Sequence, residues 1–385
     1  MKILGIVMEA NPFHNGHKYF IEQCKKQIDP NIIIAITSTS FTMRGEISLL
    51  NKYDKTKILL EHNVDIVLEL PFSQSVQSAD YFSMNSILNL NNIGITDLAF
   101  GCEIDDINLL YKFVDIITSN EFNEIYKNNK NNSISSKVLY NNILKEFLTD
   151  DEIEIFNQPN ITLAIQYLKT IKENNLQITP HVIKRVISHY NDKQIKDEFA
   201  SATAIREAII HEQNFDNTLP ESSYNSIIDY KTAKNKYLDL IKFNFLVNDN
   251  ISKSSNDKEG LFNYIKKNAD FSSYELFQNS LKNKKYTINR INRSVLYSLL
   301  NITKIPSYTP YIRILGISDK GLSYINNVNQ ECKDIIFSGT KELKKMNDLT
   351  NEINRIELMA TKLYSIITNN SELIKKESML PIKKG

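Results

Sequence analysis

The chain has 385 residues, 42% of them hydrophobic, and a formal net charge of +1. That length supports a sizeable core and two domains, and the balanced charge excludes a surface built throughout for nucleic acid, so any basic patch must be local. Cys24, Cys102 and Cys332 are too few and too scattered for a disulfide framework or a zinc site, and no metal-ligand cluster is expected. No stretch approaches the roughly 20 apolar residues of a membrane span, and the first residues lack a signal pattern. A reducing cytoplasm is the expected compartment.

The apolar run Ile3-Leu4-Gly5-Ile6-Val7 reads as a buried strand. It breaks into a loop that ends in the tetrad His14-Asn15-Gly16-His17. Gly16 lets the backbone come close to phosphate oxygens, and a helix over Lys18–Lys26 points its first amides at the same place. Two imidazoles there can donate hydrogen bonds to a phosphorus centre as charge builds on it. Further strands are expected at Ile32–Thr37, Ile66–Leu70, Asp97–Phe100 and His181–Arg185, alternating with helices over Lys52–Glu61, Tyr81–Leu90 and Thr162–Ile171. Apolar strands separated by helices predict an α/β fold, a Rossmann-like parallel sheet with helices on both faces. Ligands of such sheets sit beyond the carboxyl ends of the strands, where Glu9–His17, Ser38–Glu46, Pro71–Asp80 and Gly101–Glu103 gather the polar residues.

A second phosphate-binding element is expected at Phe199–Arg206. Ser201 or Thr203 caps a helix through Ile205–His211, and Arg206 follows one turn in with a planar fork suited to an anion. Beyond Ile210 the strand signal fades and helical patterns dominate, so 1–212 is taken as a nucleotide-binding domain and 213–385 as a mainly helical one. Ser252–Gly260 reads as a loop, and the tail Glu377–Gly385 as frayed or weakly docked. The run Lys282, Lys284, Lys285, Tyr286, Arg290 and Arg293 contains no acidic residue. It suits an RNA backbone, with Tyr286 available to stack on a base. Tyr111 and Phe113 read as core, while His62, His181, His189 and His211 show no partner pattern.

These two phosphate motifs resemble the His-x-Gly-His nucleotidyltransferase superfamily, and the flanking residues narrow the resemblance to the tRNA(Met) cytidine acetate ligase family. It is carried by Gly5–His17, Phe41 with Arg44-Gly45-Glu46, Asp65–Pro71, Gln77–Phe82, Phe100–Glu103, Pro159-Asn160, Ile183–Arg185 and Ser201–Arg206. Lys284–Thr287 with Arg290 and Arg293, and Tyr311–Gly316, extend it through the second half. The resemblance implies a ligase that activates acetate with ATP as acetyl-adenylate and then acetylates N4 of the wobble cytidine of elongator tRNA(Met). It further implies that ATP is held by Val7, Met8, Glu9, Ala10, Asn11, Pro12, Phe13, His14, Asn15, Gly16, His17, Lys18, Tyr19 and Phe20, and by Gly101, Asn160 and Arg185. His14, His17 and Arg206 are the expected catalytic residues, with Ser201 and Thr203 beside the phosphates. Mg2+ is expected on the phosphates, through water and substrate oxygens. The chain departs from the family pattern at Thr39-Ser40, where a change in the pocket wall is expected, and at Ile161-Thr162 after Asn160. A small-molecule adenylyltransferase or a non-catalytic RNA-binding protein would share parts of this pattern.

Overall fold

The structure, a computed structural model, describes residues 1–129, 136–185, 198–248, 260–283, 285–339 and 347–384. Five strands carry the first half: β1 (Ile3–Val7), β2 (Ile32–Ser38), β3 (Ile66–Leu70), β4 (Asp97–Cys102) and β5 (Thr179–Lys184). They pair in parallel in the order β5-β4-β1-β2-β3. All seven residues of β2 are buried, which only a strand covered on both faces allows. Along it Ile32, Ile34 and Ile36 enter one core, and Ile33 and Ala35 enter the other, as a period of two requires.

Helices α1 (Asn15–Ile28) and α2 (Lys52–Glu61) cover one face with Ile21, Cys24, Ile58 and Leu59. The other face is covered by α3 (Ala79–Asn92), α4 (Ile107–Thr118) and α5 (Pro159–Glu173), through Phe82, Leu90, Phe113, Ile161 and Leu168. Phe113 is core as expected; Tyr111, on the outer side of α4, is 39% exposed and is not. The chain lays down β1, β2 and β3 outward and then returns to place β4 on the opposite side of β1. The crevice beyond β1 and β4 is therefore the topological switch point, where ligands of such sheets bind.

The second half is not helical throughout. Helices α6 (Ala202–Ile210), α7 (Tyr230–Leu246), α8 (Ile288–Leu299) and α9 (Asp348–Thr368) are joined by β6 (Ile312–Ile317), which adds antiparallel to β3 in the same sheet, Ile66 facing Ile317. Two short strands, β7 (Ile336–Phe337) and β8 (Ile382–Lys383), flank β6. An arginine at its second position disguises β6 in the sequence. Arg313 is buried because Glu69 and Glu377 accept from its guanidinium at 2.8 and 2.7 Å. The same carboxylates, with Glu357, hold Lys52 Nζ at 2.6 to 3.0 Å. This buried network ties α2, β3, β6, α9 and the tail together. The tail is thus docked, with Glu377 buried and β8 hydrogen-bonded to the sheet, where a frayed or weakly docked end was expected.

A further core is aromatic: Phe41 and Phe72, from the loops after β2 and β3, pack with Tyr237, Tyr297 and Tyr364 of α7, α8 and α9. Thr39 and Ser40 lie against this core rather than on a pocket wall; Thr39 is fully buried and donates to Glu357 at 3.3 Å. No helix among the described residues is long and apolar enough to cross a membrane.

Candidate active site

The helix at the signature turn starts earlier than expected, at Asn15, so the tetrad forms its first turn instead of a preceding loop. His14 is the N-cap: its Nδ1 accepts from Gly16 N–H at 3.0 Å. His17, three positions on, accepts the His14 N–H on its own Nδ1 at 3.2 Å. This is a capping box built from imidazoles. With both Nδ1 atoms used as acceptors, each neutral ring carries its proton on Nε2. The rings lie 3.9 Å apart. Burial, and then the charges of neighbouring groups that include Arg185, hold the His14 pKa well below its ordinary value and pull that of His17 down to about 3. At neutral pH the pair offers two N–H donors and no positive charge.

Gly16 owes its place to the fold of this turn. A Cβ there would lie 2.8 Å from His14 Cε1 and 2.9 Å from its Nδ1. Gly16→Ala therefore displaces the His14 ring, and a shift near 1 Å in a catalytic group costs on the order of 100-fold in rate. Adenylylation kinetics of that variant, with melting temperature as the control, check this.

The turn and α6 meet at one cavity of about 430 Å³ beyond the carboxyl ends of the strands. Ser201 is the cap of α6, accepting from Ala204 N–H at 3.1 Å, so of the two expected caps it is the serine that serves. Thr203 instead orients Arg206, whose Nη2 donates to Thr203 Oγ1 at 3.2 Å. Arg206 Nη1 donates to the Asn11 carbonyl at 2.9 Å, across 195 residues of sequence, and Nη2 lies 3.7 Å from Glu46. The two phosphate motifs thus share one pocket. Asn11 spans it as well: its Oδ1 accepts from Leu49 N–H at 2.7 Å, while its buried Nδ2 has no partner among the described residues.

Beyond β4 and β5 a second chain of polar groups lines the cavity. Asn160 Nδ2 donates to Glu103 at 2.5 Å, and Asn160 Oδ1 accepts from Arg185 at 3.2 Å. Gly101 lies beside them, and a Cβ on it would touch the Arg185 stem at 3.4 Å. Ile161 is core, but Thr162 reaches the cavity wall. Four cationic side chains (Arg44, Lys184, Arg185, Arg206) and two carboxylates (Glu9, Glu46) line the whole cavity. That balance favours a polyanion.

Within Val7–Phe20 four positions lie off the cavity wall. Pro12, Phe13, Asn15 and Lys18 do not line the cavity. Phe13 is fully buried and stacks on His62 with centroids 4.9 Å apart. Asn15 points sideways and donates to the carbonyls of Glu198 and Asn217, and Lys18 is exposed. The expected RNA run also divides. Tyr286 is 3% exposed and packs on Tyr264, so it is a core residue with no face for a base. Arg293 turns inward, its Nη1 donating to the Met43 carbonyl at 3.4 Å. Lys282 and Lys285 are exposed and Arg290 half-buried, while Lys284 lies outside the described residues.

The loop after β2, one of those expected beyond the carboxyl ends of the strands, supplies a wall of the cavity through Thr42–Glu46. Glu9 accepts from Met43 N–H at 2.7 Å, and Gly45, at φ +76°, lets α8 approach within a distance no Cβ would allow. Burial raises the Glu9 pKa, opposed by that hydrogen bond and by Lys55 and Arg44. The Arg44-Gly45-Glu46 triplet was visible in the sequence; its packing partner, the backbone of Asn292 and Arg293, was not.

A model of the HIGH nucleotidyl transferase family matches residues 1–378. The chain belongs to that family. Its HIGH signature is the turn just described. The protein is 33% identical, over 96% of each chain, to a tRNA(Met) cytidine acetate ligase of Clostridium kluyveri. It is 32% identical to the enzyme of that name from Fusobacterium nucleatum, over 92% of this chain and 96% of the other. Among solved structures, apo Thermotoga maritima TmcAL superposes with a TM-score of 0.88 at 27% identity, covering 100% of this chain and 99% of that one. The same protein bound with alpha-thio ATP gives 0.85 at 26% identity, with the same coverage.

The site also makes a claim about acid stability. His14 and His17 stay neutral in the fold, whereas an unfolded histidine takes up a proton below about pH 6.5. Their folded pKa values are depressed, so the unfolded chain binds more protons as the pH falls from about 6.5 toward 3. Stability is therefore full above that window and declines below it. Thermal melts at pH 7.5 and 5.0 should show a smaller drop in a His14→Gln, His17→Gln double variant than in the unaltered protein.

Proposed function

We propose that this protein activates acetate with ATP and transfers the acetyl group to N4 of the wobble cytidine of elongator tRNA(Met). The observation that carries the reading is the Arg206 guanidinium bonded to the Asn11 carbonyl, which places the α6 motif and the HIGH turn on one cavity. Relatives named tRNA(Met) cytidine acetate ligase, matching nearly end to end, support the substrate, and a neighbour holding an ATP analogue supports the nucleotide.

In the first step an acetate oxygen attacks the α-phosphorus of ATP and pyrophosphate leaves. The chain's contribution is positioning and charge stabilisation. The Nε2–H groups of His14 and His17 donate to the phosphate oxygens as charge grows, and Arg206 with the open amides of α6 balances the departing pyrophosphate. The unpartnered Nδ2 of Asn11 supplies one more donor to the same oxygens. In the second step the cytidine amine attacks the acetyl carbon, AMP leaves, and the amine gives up a proton. Mg2+ would be carried on the triphosphate, through water and substrate oxygens. Lys282, Lys285 and Arg290 are the cations assigned to the RNA backbone, and the cytoplasm is where such a tRNA is met.

Nucleoside analysis of tRNA(Met) from cells with and without the protein tests the reading. N4-acetylcytidine present only with the protein is expected. Equal amounts in both would remove the tRNA assignment.

A further inference from the structure

The cavity has two unlike halves. One is made by the ends of β1, β4 and β5 and the start of α6, the elements to which the resemblance gives ATP. The other is made by the Thr42–Glu46 loop after β2, by Ala79 and Phe82 of α3, and by Asn289 of α8. None of the phosphate contacts assigned above comes from this second half.

Asn289 is the one residue beyond position 206 that reaches the cavity among the described residues. Its carboxamide has no hydrogen-bond partner among them. Its position is nonetheless fixed. One turn further along α8, Arg293 donates to the Met43 carbonyl, and the backbone at Asn292 and Arg293 seats against Gly45. The next residue, Arg290, lies 5.3 Å from the Tyr286 ring, with Lys285 Nζ 5.0 Å from the same ring. The cations that suit an RNA backbone and the amide that faces the cavity therefore sit on one short stretch of chain.

We propose that this half of the cavity is the base subsite for the acceptor RNA, and that the Asn289 carboxamide hydrogen-bonds the edge of the pyrimidine brought there. The inference rests on the acetyl-transfer reading above. A carboxamide suits the task because cytosine presents O2 and N3 as acceptors and N4–H as a donor, and an amide offers both kinds of group. Loop bases of RNA are read this way, unstacked and bonded on their Watson–Crick edges. The nucleophilic amine would then enter from the α8 side.

The full-length Asn289→Ala variant tests this in two assays. Acetate-dependent exchange of labelled pyrophosphate into ATP needs no RNA and should stay within about twofold of the unaltered protein. Transfer of labelled acetate to tRNA(Met) should fall about tenfold or more in kcat/KM, the expected loss for one good base contact. Exchange preserved at normal rate also shows that the variant is folded. Transfer left unchanged, or exchange falling in step with transfer, would overturn the assignment. If the unaltered protein shows exchange but no transfer to tRNA(Met), the RNA reading itself is wrong and the subsite goes with it.

Discussion

His17→Ala lowers acetyl-adenylate formation by roughly 100- to 1,000-fold, the loss found when a donor aimed at developing charge is removed. The imidazole does two things in this fold. Its Nδ1 accepts the His14 N–H at 3.2 Å, and its Nε2–H is free to donate into the cavity. His17→Asn separates them: a side-chain carbonyl can take over the cap, but its amide does not reach where the imidazole Nε2 does. Both variants are therefore expected to be slow, with His17→Asn melting closer to the unaltered protein. Because His17 is neutral down to about pH 3, the remaining rate of the unaltered enzyme should not change between pH 6 and 8 through protonation of this ring. Pre-steady-state measurement of pyrophosphate release gives the rate, and ATP affinity should change much less.

The second large effect is on stability. Lys52→Met removes the cation that three buried carboxylates share, leaving Glu69 and Glu377 to Arg313 and Glu357 to the Phe72 N–H and the Thr39 hydroxyl. Breaking a buried pair in this way costs about 3–5 kcal/mol, which corresponds to roughly 10 °C in melting temperature. Burial, opposed by Lys52, pushes the Glu357 pKa up to about 7. A carboxyl raised in the fold favours the native state at low pH and loses that contribution as pH rises from about 4.5 through its folded value. The penalty of Lys52→Met should therefore be larger at pH 8 than at pH 6, as read by thermal melts. A double variant with Glu357→Gln should recover part of it.

Much of the sheet was legible because its signal is local. Ile3–Val7 is a continuous apolar run and Ile66–Leu70 is apolar except for Glu69, and their limits are those of β1 and β3. Lys52–Glu61 is likewise α2 end to end, since Asn51 caps it and the apolar pattern stops at His62. The HIGH turn and Ser201–Arg206 were legible for the same reason, as short strings whose residue types suit phosphate. What escaped depends on partners remote in sequence. β6 hides behind Arg313, which only Glu69 and Glu377 make compatible with a core strand. Tyr286 sits in a lysine-rich stretch that looks like solvated surface, yet the helices around it close over the ring. Thr39 and Ser40 depart from the family pattern, which pointed to a changed pocket wall, but both are buried away from the cavity that Arg44 lines. In each case the local string was compatible with two environments, and long-range packing chose between them.

ATP cleavage is expected at the cavity that the two histidines share with Arg206. Exchange of labelled pyrophosphate into ATP, run without any RNA, measures that reaction in isolation. Label should enter ATP when acetate is present and not when it is left out. No exchange with acetate, or the same exchange without it, would contradict the account.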